Sequence, residues 1–226
     1  MQFFGFKTDG VWLSQAQITE SGIKSNLSNA LVPGGLKLVD LDGNGILNAD
    51  DRTVIGSPYP DFTWGVSNNF KYKAFDLSFM FQGVEGGSLI NGDPNYLEIR
   101  RTVRAYSNNR WLSPGFPGDG QTPYSSNGFS WLLTDYVVED ASYVALREIL
   151  VGYSLPNKLT KRVGIKGLRI YLTGQNLLFK TAKGYRGLNP ESRFQTGPYN
   201  TPLIDGYQRG SFPVSRTFLF GLDLNF

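Results

Sequence analysis

The stretch "RTFLFGLDLNF", residues 216–226, places a large apolar residue at every second position up to the last one. The positions between them are mixed and include the charged residue Asp223. A period of two is typical of a β-strand whose two faces meet different surroundings. The apolar face needs a cover, which either a protein core or lipid would provide. The apolar set consists of Phe218, Phe220, Leu222, Leu224 and Phe226.

Four further segments show strand patterns. They are "DFTWGVSNNFKY" at 61–72, "FDLSFMFQG" at 75–83, "YVALREILVGYSL" at 143–155 and "GLRIYLTGQNLLF" at 167–179. The first two predict a hairpin around a short turn at Lys71–Ala74. In the third, the alternation slips near Glu148, which predicts a β-bulge. Together with residues 216–226, these segments predict about five strands.

Short and long connections alternate between the predicted strands. Lys71–Ala74 and Asn157–Lys166 are short, whereas residues 84–141 and 180–214 are long. Long structureless loops are uncommon in compact soluble domains, but outer-membrane barrels combine short periplasmic turns with long extracellular loops. A soluble β-sandwich with ordinary hairpins is the alternative. Five strands are fewer than the roughly eight of the smallest barrels.

The predicted fold class is therefore all-β, with about five antiparallel strands from the C-terminal part of a large transmembrane β-barrel with long extracellular loops. We expect residues 1–61 to form an extracellular loop region and residues 62–226 to form the strands and their loops. A plug domain is not expected among these residues.

Composition narrows the classes of function. The 226 residues include no cysteine and no histidine, which excludes thiolate nucleophiles, imidazole bases and most zinc sites. No pair or triad of catalytic side chains with motif spacing is present, so an enzyme is not expected. The net charge is only +3, and the basic residues are scattered rather than gathered in one stripe. Nucleic acid is therefore not an expected partner.

The segment "DLDGNGILNADD", residues 40–51, has the spacing of a calcium-binding loop. Gly45 allows the sharp turn at the sixth position, and Asp51 takes the place of the usual bidentate glutamate. The alternative is a metal-free turn held by hydrogen bonds from side chains to the backbone. The predicted oxygen ligands are Asp40, Asp42, Asn44, the Ile46 carbonyl, Asn48 and Asp51.

The long segment 84–141 carries aromatic residues that are candidates for stacking on a ligand or partner. The alternative is that most of these rings pack the segment against itself. Charged residues of the strands, namely Asp76, Arg169 and Asp223, are expected to line a polar lumen. The candidates for ligand or partner contact are Tyr96, Tyr106, Trp111, Phe116 and Trp131.

Several successive motifs resemble the SusC/RagA-type TonB-dependent transporters of the Bacteroidota outer membrane. They are "FFGFKTDGVW", "LVDLDGNGILNADDRTVIGSPYPDFTWG", "DASYVALREILVGYSLP", "GLRIYLTGQNLL" and "RTFLFGLDLNF", in the order of the family's C-terminal part. The chain departs from the family pattern at Asn189, where the family has aspartate, and at Ser215, where proline often precedes the arginine.

The resemblance implies a part of an energised importer in the cell outer membrane, where lipid surrounds its barrel. It implies uptake of oligosaccharides or peptides, a SusD-like surface lipoprotein as partner, and a TonB complex that acts through a missing N-terminal part. The alternating residues that end on Phe226 resemble the family's signal for the barrel-assembly machinery. Two alternatives remain, namely a passive channel or adhesin and a soluble, calcium-stabilised extracellular β-domain for ligand binding or adhesion.

Overall fold

The computed structural model describes residues 2–92, 109–124, 132–160, 164–192, 206–208 and 211–225. Within these ranges, helix α1 spans Gln15–Ser21 and helix α2 spans Asn157–Thr160, and two short 3-10 helices span Ala49–Asp51 and Asp135–Val137. The strands are β1 Phe3–Gly5, β2 Thr8–Val11, β3 Lys24–Ser25, β4 Leu36–Leu38, β5 Ile46–Leu47, β6 Thr53–Gly56, β7 Phe62–Tyr72, β8 Phe75–Glu85, β9 Ser88–Asn91, β10 Val138–Asp140, β11 Tyr143–Ser154, β12 Gly167–Thr181, β13 Tyr207–Gln208 and β14 Thr217–Asn225.

The five long strands form one antiparallel sheet in the order β14-β12-β11-β8-β7. They correspond to the five segments predicted from the alternating sequence pattern. Their lengths run from 9 to 15 residues, and a membrane-spanning strand needs about 9–11 residues. The sheet is therefore tall enough to cross a bilayer.

The register separates the two faces of this sheet. One cross-strand row is wholly apolar and consists of Phe70, Leu77, Val151, Leu172 and Phe220. The adjacent row lies on the opposite face and includes Asn69, Ser78 and Thr173. We call the side of the first row the apolar face and the side of the second row the polar face. Among the first row, all but Leu77 are about half exposed or more.

Two predicted details of the sheet can be compared with the structure. The hairpin turn is shorter than predicted, because Lys71 pairs with Asp76 and only Lys73 and Ala74 lie outside the strands. Lys73 closes this two-residue turn in a left-handed conformation, with φ of 54°. The predicted bulge near Glu148 is confirmed by a shift of register between Leu146 and Glu148.

The long connections contain small sheets of their own. Strands β1 and β6, β2 and β4, and β3 and β5 pair two by two, and β10, β9 and β13 form a three-stranded sheet. The predicted loop from residue 84 begins too early, because β8 continues to Glu85. We call the described residues outside the long strands and their two short turns the outer layer; they are 2–61, 86–92, 109–124, 132–142, 182–192, 206–208 and 211–216.

The hydrophobic core lies mainly in the outer layer. One cluster joins Phe6, Ala30, Leu38 and Leu47, and a second one joins Val11, Leu36 and Val137. Backbone hydrogen bonds join residues 2–61 of the layer to residues 132–142, among them Phe6 N–H to Leu133 O at 2.9 Å. The connections therefore pack as a folded unit on one end of the sheet. No helix in the described ranges is long and apolar enough to cross a membrane.

Candidate functional site

Three acidic side chains of the calcium-like loop converge. Carboxylate oxygens of Asp40, Asp42 and Asp51 all lie within 4.8 Å of one another. Asp42 is exposed, Asp40 is partly buried and Asp51 is fully buried. Calcium is bound by oxygens at about 2.3–2.6 Å, so two of its ligands lie up to about 5 Å apart. The spacing of the three carboxylates therefore fits one cation.

Glycines and the Asp40 carboxylate shape the start of the loop. Gly43 and Gly45 have φ of 72° and 78°, which a side chain would disfavour. Their N–H groups donate to the two oxygens of Asp40, at 2.9 Å and 2.7 Å. These bonds, with the one from Gly45 first, lower the pKa of Asp40 below its usual 3.8. The carboxylate is therefore charged at neutral pH.

Asp51 ties the end of the loop to the outer-layer core. Its two carboxylate oxygens accept the N–H groups of Leu41 and Asn48, each at 2.8 Å. Asn48 in turn caps the 3-10 helix by accepting the Asp50 N–H. The neighbouring Leu47 is fully buried in the cluster that contains Phe6. The position of the loop is thereby fixed.

The remaining predicted ligands lie in the same loop but their oxygens have protein partners. The Asn44 side-chain oxygen accepts the Ile46 N–H at 2.7 Å. The Ile46 carbonyl accepts the Asn48 side-chain amide at 3.3 Å. Such bonds also occur in a metal-free turn, so they are compatible with both interpretations of this segment.

The structure describes two of the five aromatic candidates, and they differ in how far they are buried. Trp111 packs on the cluster of Val11 and donates its indole N–H to the Leu13 carbonyl at 3.0 Å, with Tyr124 edge-to-face at 5.9 Å. Trp111 thus fits the packing alternative. Phe116 is 72% exposed and is free to meet a ligand or partner. Tyr96, Tyr106 and Trp131 lie outside the described residues.

The terminal strand presents its predicted set on the apolar face. Phe218, Phe220, Leu222 and Leu224 are between 50% and 68% exposed. Their cross-strand neighbours on β12 continue the same face, as Leu172 does opposite Phe220. Phe226 lies outside the described residues.

The polar face brings three predicted charged residues together. Arg169 on β12 donates to Asp76 on β8 at 2.6 Å and to Asp223 on β14 at 2.9 Å. The sequence pattern placed all three on one face but did not show that they pair. A second ion pair on this face, between Arg147 and Glu191, was not predicted at all. The sequence predicted only the bulge near Glu148, which lies next to Arg147.

Known proteins resemble the chain along most of its length. No protein-family profile matches it. It is 35% identical over 230 residues to the TonB-dependent receptor P3 of Formosa agariphila, which covers 99% of this chain and 22% of the relative. It is 30% identical over 198 residues to the TonB-dependent receptor SusC of Bacteroides thetaiotaomicron, which covers 83% of this chain and 17% of the relative.

A solved structure supports the fold. The structure of the RagAB peptide transporter superposes with a TM-score of 0.69 at 23% identity, over 99% of this chain and 22% of that chain. The chain thus spans about a fifth of the length of the relatives that it matches. The predicted all-β barrel-strand fold and the outer-membrane location are confirmed by this class of relatives. We conclude that the chain is a homologue of the TonB-dependent receptors of the SusC/RagA type.

Proposed function

We propose that the five long strands form part of the wall of a TonB-dependent importer in the outer membrane. The observation that carries this proposal is the apolar row from Phe70 to Phe220, which crosses all five strands and, among the described residues, is about half exposed or more at four of its five positions. In water such a face is unfavourable, whereas the hydrocarbon of a bilayer matches it. The relatives are receptors and transporters rather than enzymes, which fits the expectation that the chain is not an enzyme.

The two faces of the sheet have different roles in this proposal. The apolar face contacts lipid, and the polar face lines the lumen, where charged side chains are tolerated. The ion pairs of Arg169 with Asp76 and Asp223 lie on this polar face. Each carboxylate is thereby neutralised without being exposed to lipid.

The nature of cargo and partners is proposed from the relatives. The RagAB relative is described as a peptide transporter, and the resemblance to SusC-type proteins implies oligosaccharides as well. We therefore propose peptide or oligosaccharide cargo, a SusD-like surface lipoprotein at the outer layer, a TonB complex that energises uptake, and insertion by the barrel-assembly machinery.

The test is an uptake assay in the bacterium that encodes the chain. The parent gene is deleted, and the import of labelled oligosaccharides and of labelled peptides is measured with and without a functional TonB. We expect one of the two cargoes to depend on both genes, and the full-length protein to co-purify with a surface lipoprotein. Unchanged import of both cargoes in the deletion strain would contradict the proposal.

We also propose that the loop 40–51 binds calcium and that the ion is structural. The support is the convergence of three carboxylates within 4.8 Å, on a loop whose last acidic residue is buried. Hard oxygen donors are the ligands that calcium prefers. Because aspartate is shorter than the usual glutamate at the twelfth position, we expect affinity in the range of extracellular calcium modules, roughly 0.1–1 mM.

Calcium binding is tested by limited proteolysis of the full-length protein with calcium or with a chelator. We expect calcium to slow cleavage within the outer layer, and Asp42→Asn to abolish this protection because Asp42 is exposed and contributes little to packing. Asp9→Asn is the control, since Asp9 is an exposed carboxylate whose partner is Lys37. Equal cleavage rates with and without calcium in the unmodified protein would support the metal-free turn.

A soluble calcium-stabilised β-domain is the second candidate, and the observation in its favour is the outer layer with a core of its own. The two candidates differ in what the apolar face requires. Expression of residues 1–226 distinguishes them, because a wall segment needs detergent, whereas a soluble domain is monodisperse in aqueous buffer.

A further inference from the structure

Arg147 occupies an unusual position in the sheet. Leu146 and Glu148 pair with the consecutive residues Phe81 and Met80 of β8, so Arg147 is the extra residue of a bulge. Bulges redirect a side chain and are frequent beside functional sites. Here the bulge adds a guanidinium group to the polar face, where its partners lie.

Side chains of three strands hold this guanidinium. It donates to Gln82 of β8 at 2.8 Å and to Asn176 of β12 at 3.3 Å. The rings of Tyr143 and Phe179 stack on each other at 5.1 Å, and both lie within 5.8 Å of the guanidinium carbon. These contacts on several sides restrict the orientation of the Arg147 guanidinium group, because an arginine fork bound at several points is pre-organised.

The remaining partner comes from a different part of the chain. Glu191, in the connection between β12 and β14, accepts a hydrogen bond from Arg147 and another from the Tyr143 hydroxyl at 2.6 Å. The Arg147 and Glu191 side chains are only 19% and 29% exposed. This ion pair therefore joins the outer layer to the polar face of the wall.

Other residues of the segment 182–192 form hydrogen bonds with β10 and β13. Arg186 donates to the buried Glu139 of β10 at 2.7 Å. Gln208 of β13 donates to the carbonyl of Asn189 and to that of Ser192. Arg186, Asn189 and Ser192 thus bind to other parts of the outer layer, and Glu191 contacts the Arg147 site.

We propose that Arg147 and Glu191 are positioning residues that form a latch, which holds residues 182–192 over the polar face and so sets the width of the passage beside the wall. This inference rests on the proposed function, because the passage is the lumen of the importer. Three neutral groups, those of Gln82, Asn176 and Tyr143, hold the pair in place. Within the segment, the Glu191 carboxylate makes the ion pair with the polar face.

The first test measures attachment without transport. Hydrogen exchange of the peptide covering residues 182–192 is followed in the full-length, detergent-solubilised protein. Because a charged hydrogen bond contributes about 1.5–3 kcal/mol, we expect exchange in Glu191→Ala to be at least about tenfold faster. Tyr143→Phe keeps the ring and loses one hydrogen bond, so we expect a smaller increase.

The controls separate the latch from a general loss of structure. Glu20→Ala removes an exposed carboxylate of α1 and is expected to leave the exchange of residues 182–192 unchanged. The exchange of β11 peptides reports whether the wall is intact in each variant. Exchange of residues 182–192 at the unmodified rate in Glu191→Ala would overturn the latch.

The second test measures passage. Uptake of the labelled cargo is compared between the unmodified protein, Glu191→Ala and Glu191→Asp, and we expect a changed rate in the first variant with recovery in the second. A faster exchange with unchanged uptake would overturn the role of the latch in setting the passage. If the unmodified protein imports neither cargo, the proposed function fails, while the exchange experiment still decides whether the latch exists.

Discussion

Gly34 shows how a single residue supports the outer layer. Its φ is 79°, and the ring of Trp111 lies directly against its α-carbon, where a side chain would begin. Its N–H donates to Trp12 O at 2.6 Å, and its carbonyl accepts the N–H of Tyr124 at 3.0 Å. The residue thus joins two segments that are far apart in the sequence.

We predict that Gly34→Ala loosens the outer layer. The new methyl group overlaps the Trp111 ring, and overpacking of this kind costs about 1–3 kcal/mol in addition to the backbone strain. The measurement is pulse proteolysis of the full-length protein in urea. The control is Gly120→Ala, because Gly120 has φ of 72° but no atom within 4 Å of the added carbon. Equal losses of stability in the two variants would show that the overlap with the Trp111 ring does not contribute to the loss in Gly34→Ala.

Individual residues were predictable where they belong to a motif of ligands at fixed spacing. The loop 40–51 was found because its oxygen donors recur at fixed intervals, and the structure brings three of them together. The pair of Arg147 and Glu191 was not predictable, because 44 residues separate them and neither lies in a motif of spaced ligands. The sequence did not show how Trp111 packs, because its partners come from distant parts of the chain, among them Leu36 and Val137.

Strand β14 offers a test of which face meets lipid. Phe220 and Leu219 are adjacent, apolar and 68% and 48% exposed, but they lie on opposite faces. We predict that Phe220→Arg impairs insertion by about 2–4 kcal/mol, as charges do at the middle of the lipid face, while Leu219→Arg is tolerated.

The measurement for this pair is folding of the full-length barrel into lipid vesicles, followed by heat-modifiable electrophoretic mobility. Leu219→Arg serves as the matched control, since it places the same charge one residue away. A larger loss in Leu219→Arg than in Phe220→Arg would reverse the assignment of the faces.

Elements with a strict period of two were predictable, and those of the outer layer were not. The five long strands each repeat the alternation often enough to be recognised, and the bulge appeared as a slip in it. The outer-layer strands are only two to four residues long, which is too short for any period to show. Their partners are also distant, as with β1 and β6.

At the scale of the whole molecule, the described residues form a wall and a layer packed on one end of it, which predicts different depths for Trp64 and Trp111. Trp64 lies in β7 on the apolar face, opposite Gly83. Trp111 lies in the outer layer. In vesicles with brominated lipids, we expect the full-length protein to lose quenchable fluorescence in Trp64→Phe and to keep it in Trp111→Phe. Greater loss in Trp111→Phe would place the outer layer in the membrane.

The arrangement of wall and layer was predictable only in outline. Alternating short and long connections indicated which end of the strands carries the long segments. The sequence did not show that these segments share a core, because that core joins residues such as Leu36 and Val137 from separate connections. Only the folded chain brings them together.

The core of the outer layer has a consequence for how such proteins diversify. Wall and layer meet at a collar of hydrogen bonds near the strand ends, where Asp61 N–H donates to Glu85 O and Ala182 N–H to Ser142 O. Most buried apolar contacts lie on one side of this collar, in the layer itself. These contacts join connections that the wall strands separate in the sequence. Replacing one connection alone would therefore leave the others without their packing partners, so the outer layer is expected to diversify by coordinated changes in several segments while the wall stays constant.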